Sequence, residues 1–179
     1  GQSIQFSDLP ENFINAVIVT EDKRFFSHPG IDFKGVVRAA YTNIKKGRIV
    51  QGGSTITQQL AKNLFLTPER SFTRKLHELI LSFWLEMRFS KEQILSIYLN
   101  RVYLGSGTYG VQAASEKYFN KKVEDLNLYE CAVIASLLKA PSRYNPIANK
   151  KLSQERASLV LENMAKNQMI SKAKVKEAK

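Results

Sequence analysis

Helical periodicity runs through nearly the whole chain, and that feature alone excludes most folds. Apolar residues recur at three- and four-residue steps between recognisable start and stop signals, and strand signals are scarce. Pro10 stands where a first-turn proline is tolerated, with Phe13, Ala16 and Val17 following on one face. The next four-residue step lands on Glu21, so an acid extends that apolar face. Asp32 can cap a helix through Val36, Val37, Ala40 and Ile44 that ends at Gly47. Ser54 or Thr55 can cap a third, through Leu60 and Leu64, that stops before Pro68. The longest spans about 71–88, where Phe72, Leu76, Leu79, Ile80, Phe83, Trp84 and Met87 form one wide apolar stripe. Ser90-Lys91-Glu92-Gln93 reads as a capping box opening a helix to about residue 99. Further helices are predicted at about 109–118, from Asn127 through 128–138 up to Pro141, and in the lysine-rich tail 153–179. Residues 47–54 hold three glycines between two helices and are the expected mobile loop.

Such helices need a core, and 44% apolar residues in a chain of 179 supply one. The length fits one domain, with two lobes at most. Disorder and a disulfide-stapled scaffold are excluded as the main state. Cys131 stands alone, so no internal disulfide or cysteine metal cage can form, and His28 and His77 are too few for a histidine zinc site. The formal charge of +11 favours an anionic partner, whether nucleic acid, phosphate-bearing ligand or anionic lipid. The first residues have no charged segment leading into an apolar run, as a signal peptide would. The longest apolar patches, 79–85 and 132–138, fall well short of the roughly 18 residues that span a bilayer. A chain of this kind can still lie on a membrane or belong to something that spans one.

Two familiar motifs fail on context. Gly105-Ser106-Gly107-Thr108-Tyr109-Gly110 matches a dinucleotide-binding loop, with Asp125 downstream, but a helix rather than a strand precedes it. Ser136-Leu137-Leu138-Lys139 matches the S-x-x-K of acyl-serine enzymes, but it lies in an apolar helix, and Lys-Thr-Gly and Ser-Asp-Asn are absent. More telling is the segment 21–30, where Glu21, Asp22, Lys23, Arg24, Phe25 and Phe26 run into a His28-Pro29-Gly30 turn. Carboxyls at the ends of apolar helices are partly stripped of water, the setting in which general bases are found. The plainer reading is a charged helix end with a satisfied histidine. In the long helix Arg74, Lys75 and Glu78 share a face, with Lys62 and Arg70 near them in sequence. Alone this is a surface ion-pair ladder of little energetic weight. Together, carboxylates and cations suit chemistry on a sugar diphosphate, where a base takes a hydroxyl proton and the cations stabilise the departing phosphate.

Five blocks in order carry a resemblance. They are Glu21-Asp22-x-x-Phe25-x-x-His28-x-Gly30; Gly53-Ser54-Thr55-Ile56-Thr57-Gln58-Gln59; Arg74-Lys75-x-x-Glu78; a run at 94–114 with Tyr98-Leu99-Asn100, Tyr103, Gly105 and Gly110-Val111; and one at 130–146 with Leu138-Lys139-Ala140-Pro141 and Tyr144-Asn145-Pro146. The chain resembles, over about residues 7–170, the peptidoglycan glycosyltransferase domain of class A penicillin-binding proteins, glycosyltransferase family fifty-one. The resemblance implies a mainly α, lysozyme-like, two-lobed domain with a central cleft. It implies a single domain over 1–179, with a small membrane-facing lobe around 31–53. The family's transpeptidase domain and membrane anchor lie outside this sequence, so an excised catalytic domain is expected.

By the family's pattern the enzyme polymerises lipid II, adding it to a growing lipid-linked glycan through an inverted β-1,4 link and releasing undecaprenyl diphosphate. Glu21 matches the base that deprotonates the acceptor hydroxyl. Glu78 matches the second carboxylate, near the diphosphate, with a divalent cation (Mg or Mn) as an expected aid and no organic cofactor. Lys62, Arg70 and Lys75 match diphosphate-contacting cations, and Ser54, Thr55, Gln59 and Tyr103 match substrate-contacting positions. Asp22, Arg24 and His28 are expected to shape the site. The expected location is the outer face of the bacterial cytoplasmic membrane, against an anionic bilayer and without nucleic acid. The stripe of Phe33, Val36, Val37, Tyr41 and Ile44, with Lys34, Lys45 and Lys46 beside it, is either the membrane-facing surface or ordinary core. The competing readings are a lysozyme-like glycan-cleaving enzyme using Glu21 as acid, a basic nucleic-acid-binding module, and a noncatalytic membrane-surface scaffold. Soluble sugar fragments instead of polymer would favour the first, and tight salt-dependent binding to plain DNA the second.

Overall fold

The computed structural model describes residues 3–48, 53–65 and 71–179. Among them the chain is mainly helical, as expected: α1 (Glu11–Glu21), α2 (Phe33–Lys46), α3 (Ile56–Phe65), α4 (Phe72–Arg88), α5 (Lys91–Arg101), α6 (Val111–Phe119), α7 (Leu128–Leu137), α8 (Lys150–Lys166) and α9 (Lys172–Ala178). Among the described residues β pairing is limited to an isolated antiparallel bridge between Tyr103 and Tyr109. Residues 49–52 of the glycine-rich loop lie outside the described residues, as do 66–70 with Pro68 and Arg70.

The start signals act as the sequence predicts, and the structure chooses between Ser54 and Thr55. Thr55 Oγ1 accepts from Gln58 N at 3.1 Å while Gln58 Oε1 accepts from Thr55 N at 2.8 Å, a reciprocal box that opens α3. Ser90 and Gln93 make the same exchange before α5, at 2.9 and 3.1 Å. Asn127 and Glu130 make it before α7, at 2.9 Å each way. Asp32 accepts from Gly35 N at 3.0 Å to cap α2, which ends at Gly47 in the left-handed conformation. Each such cap is worth about 1 kcal/mol.

The chain divides into two compact units. One comprises the chain up to Lys23 together with Ser96–Lys179, and the other is Arg24–Leu95. In the first, α7 lies against both α1 and α8, and α1 also meets α8. Glu130 through Leu137 are all buried, so α7 has no solvent face and needs no amphipathic pattern. Phe13 and Val17 of α1 and Leu161 and Met164 of α8 close the core around it. The amino-terminal segment is held to α5, since Ser96 Oγ and Asn100 Nδ2 donate to Ile4 O at 2.9 and 2.8 Å. The glycine motif at 105–110 is a tight reversal after α5, not a phosphate loop on a strand. Gly110 has φ +86, and a Cβ there would lie 2.7 Å from Asn100 O.

The second unit holds α2, α3, α4 and the first residues of α5, with a small core of Phe25, Ile56, Leu60, Leu85 and Ile94. Its interior also holds polar contacts. Lys91 Nζ donates to Glu86 Oε1 and to His28 O, both at 2.6 Å, and Thr57 Oγ1 donates to Glu86 Oε1 at 2.8 Å. Gly30 has φ +105, and a Cβ there would come within 2.9 Å of Glu86 Cγ, so the His-Pro-Gly turn needs its glycine.

Helix α4 is turned opposite to its apolar stripe. Glu78, Ser82 and Leu85, at four- and three-residue steps, are the residues it buries. Phe72 is 87% exposed, Met87 78% and Ile80 57%, with Leu76, Phe83 and Trp84 also exposed. The α2 stripe is exposed too: Phe33, Val36, Val37, Tyr41 and Ile44 all face outward, and Ala39 is the residue α2 buries. Ordinary core is thereby excluded for both stripes. Among the described residues no helix is long and apolar enough to cross a membrane.

Candidate active site

Each unit presents, among its acidic residues, a buried carboxylate that the sequence singled out, with lysine beside it. In the unit Arg24–Leu95 this is Glu78, whose side chain is only 5% exposed. Lys75, one turn earlier on α4, places Nζ 3.2 Å from Oε2 and 3.3 Å from Oε1. Lys62, from the end of α3, places Nζ 3.6 Å from Oε1. Both lysine side chains are about half exposed. A buried carboxylate would otherwise cost several kcal/mol, and the two cations more than neutralise it. The excess positive charge faces solvent and can take an anion such as a phosphate.

Around that centre the other expected residues divide by role. Arg24 forms an ion pair with Asp32, the cap of α2, with Nε donating to Oδ2 at 3.2 Å. Burial works against the Asp32 charge, but the Arg24 guanidinium, the Gly35 N–H and nearby His28 outweigh it and hold the carboxyl below its usual value. His28 is buried, and its Nδ1 accepts from Gly30 N at 3.0 Å. Thr55 donates to Gly30 O at 2.6 Å as well as capping α3, so its hydroxyl is used inside the fold. Ser54 Oγ is buried and has no hydrogen-bond partner among the described residues. Gln59 lies on α3, half-buried. Arg70 falls outside the described residues.

The described residues contain no group of three or more His, Cys, Asp or Glu able to hold a metal ion. At Glu78 the neighbours are ammonium groups, a set suited to phosphate oxygens rather than to a resident cation. A protein-held divalent ion does not fit there.

In the other unit Glu21 is the last residue of α1, with a side chain 5% exposed. Its Oε2 lies 3.6 Å from Nζ of Lys139, which follows α7. Burial pushes the neighbouring Tyr98 phenol up, and the Glu21 charge adds to that shift. Tyr98 therefore stays neutral. Asp22 is the buried residue that ends α1, its N–H bonded to Ile18 O at 2.9 Å. Tyr103 is 39% exposed, and its ring packs 5.1 Å from that of Tyr109. Ser136, of the S-x-x-K match, is fully buried and donates to Val133 O at 2.6 Å, so it is no nucleophile. Sequence reasoning placed Lys139 in a matched block without giving it a task. The signal was weak because its partner lies at the far end of the chain.

Comparison with known proteins decides what these centres belong to. Residues 1–165 match the model of the transglycosylase family. The chain belongs to that family. It is a transglycosylase, in keeping with the five sequence blocks. Penicillin-binding protein 1A of Aquifex aeolicus is 49% identical over 98% of this chain and 24% of its own length. The Pseudomonas aeruginosa protein of the same name is 49% identical over 91% of this chain and 20% of its own. This transglycosylase thus spans about a quarter or less of the curated relatives it matches. A crystal structure of penicillin-binding protein 1A from Haemophilus influenzae is 36% identical, covering 69% of this chain and 15% of that one, with a TM-score of 0.47.

Proposed function

We propose that this transglycosylase polymerises lipid II on the outer face of the bacterial cytoplasmic membrane, with Glu21 as general base. The observation that supports this reading best is the difference in setting between the buried carboxylates Glu21 and Glu78. Glu21 has one lysine beside it, and Glu78 sits among lysines that can take a diphosphate. Glu21 accepts the proton of the acceptor sugar's 4-hydroxyl as that oxygen bonds to the anomeric carbon of the lipid-linked glycan. The bond from that carbon to the diphosphate breaks, its electron pair leaves with the diphosphate, and configuration inverts. Lys62 and Lys75 receive the developing negative charge on the departing oxygens, an electrostatic stabilisation greatest in the transition state. Glu78 holds those ammonium groups in place. Gln59 and the exposed Tyr103 supply further contacts to the same substrate.

The exposed stripes on α2 and α4 support a membrane surface as partner. Large apolar side chains flanked by Lys34, Lys45 and Lys46 suit insertion at an anionic bilayer interface. The test of function is direct. The domain is incubated with lipid II in detergent, and the products are separated by size. Polymer with release of the lipid diphosphate supports the reading, whereas soluble sugar fragments cut from preformed glycan would replace it with the hydrolase. Partitioning to anionic vesicles tests the surface separately. Phe33→Glu with Val37→Glu should weaken it, and unchanged partitioning would reject the membrane-facing role of α2.

A further inference from the structure

We propose that Tyr103, Tyr109 and the cavity beside Tyr109 form a saccharide subsite that holds a β-1,4-linked strand. Naming the growing polymer as its occupant rests on the reading of this chain as a lipid II polymerase. Two aromatic rings stand in solvent here, Tyr109 at 68% exposed and Tyr103 at 39%, with centroids 5.1 Å apart and planes tilted by 47°. A tyrosine ring offers an apolar face to the C–H face of a sugar, while its hydroxyl stays available to water or to the sugar's own hydroxyls.

The scaffold under the rings is fixed. The antiparallel bridge between Tyr103 and Tyr109 puts their side chains on one face. Leu104 N donates to Thr108 O at 2.9 Å and Gly110 N to Val102 O at 2.7 Å, so the reversal is closed on both sides of the pair. Tyr118 Oη donates to Leu104 O at 2.8 Å, and the buried Asn145 donates through Nδ2 to Ser106 Oγ at 2.8 Å. These bonds tie the reversal to α6 and to the chain that follows α7. Rings mounted on a fixed reversal lose little freedom when a ligand settles on them, so less of the contact energy is lost to ordering.

Beside Tyr109 lies a cavity of about 470 Å³ lined also by Ser3, Asn100, Gln112 and Glu116. Small-ligand sites span about 300–1,000 Å³, so a sugar unit or two has room. The lining side chains are held in place. Asn100 Oδ1 accepts from Ile4 N at 2.9 Å and its Nδ2 donates to Ile4 O at 2.8 Å. Gln112 Nε2 donates to Glu116 Oε1 at 3.1 Å, and Gln112 Oε1 accepts from Val123 N at 3.2 Å. Among the described residues no lysine or arginine lines the cavity, in a chain whose net charge is +11. A lining with a carboxylate and no cation repels phosphate, which excludes a nucleic acid or a second diphosphate. Hydroxyl, amide and carboxylate groups beside an exposed ring are the recognition chemistry of a sugar. A polymerase also needs such a place, because its product outgrows the two sugars that react.

The experiment titrates the whole domain with a soluble β-1,4-linked N-acetylglucosamine hexamer and follows the tyrosine ring signals by NMR. The hexamer should shift Tyr103 and Tyr109, and inorganic diphosphate should leave both still. Tyr109→Ser should weaken hexamer binding roughly tenfold and Tyr109→Phe by no more than about twofold, since the ring face carries the contact. From lipid II, Tyr109→Ser should make shorter strands on a gel that resolves their length. Hexamer binding unchanged in both Tyr103→Ser and Tyr109→Ser overturns the subsite, as does a wild-type titration in which diphosphate, not the hexamer, moves Tyr109. Strands of wild-type length beside weakened hexamer binding overturn the polymer as occupant. A wild-type domain that binds the hexamer but makes no polymer from lipid II removes the polymerase reading, and the strand with it. Polymer made by a domain whose tyrosines ignore the hexamer removes the subsite alone.

Discussion

Helices α7 and α4 are both rich in apolar residues, and the structure uses them in opposite ways. Every residue of α7 from Glu130 to Leu137 is buried among α1 and α8. Helix α4 buries Glu78, Ser82 and Leu85 and leaves Phe72, Ile80 and Met87 outside. In the Arg24–Leu95 unit a small apolar core of Phe25, Ile56, Leu60 and Ile94 takes only Leu85 from α4 beside the polar Glu78 and Ser82. Most of α4's apolar stripe stays exposed. The carboxylates differ too, Glu21 having one lysine beside it and Glu78 two.

The largest effect should come from Glu21. Glu21→Gln keeps size and hydrogen bonding but cannot take a proton, and general-base catalysis is worth typically 10²–10⁴-fold, roughly 3–5 kcal/mol. Polymerisation should fall by about that factor, while binding of a diphosphate-lipid analogue changes little. Near wild-type turnover would leave Asp22 or Glu78 as the base to test. Truncation in α7 comes next. Leu137→Ala should cost about 2–5 kcal/mol in urea unfolding, because the cavity lies where nothing can relax outward.

Beside Glu78, Lys75→Ala should behave unlike Glu21→Gln. An ammonium on a phosphate acts in ground and transition states alike, so analogue binding and rate should both weaken, by about 1.5–3 kcal/mol at most. Calorimetry with the analogue reads this, and unchanged binding would remove Lys75 from the diphosphate site. Ile80→Ser and Met87→Ser on α4 should shift stability by no more than about 0.5 kcal/mol while reducing vesicle partitioning. A loss comparable to Leu137→Ala would show that α4's stripe is packed after all.

The smallest effect concerns acid. The Asp32 carboxyl is held below its usual value, so its charge stabilises the fold above the ordinary unfolded carboxyl value near ~3.9. That contribution should disappear as pH falls through the lower folded value. Asp32→Asn should therefore narrow the stability difference between pH 7 and pH 3, by less than about 1 kcal/mol because the pair is partly screened by water. An unchanged difference would show that the Arg24 pair contributes nothing.

Local chemistry was legible in the sequence. The capping box at Ser90 and the cap at Asn127 depend only on nearby residues and could be read directly, whereas Ser54 and Thr55 stayed alternatives and α8 begins at Lys150 rather than about 153. The site's residue types could be read as well, because Lys75 and Glu78 are neighbours on one helix face and Glu21 ends an apolar one. Long-range partnership could not. Nothing local says that Lys139 reaches Glu21, that Lys91 closes on Glu86 and His28, or that Thr55 spends its hydroxyl on Gly30. Nor could periodicity alone say which way α4 would turn. A stripe at three- and four-residue steps records that a helix has an apolar side, and only the packing of α3 on α4 and the burial of Glu78 between Lys62 and Lys75 decided that this side would face out.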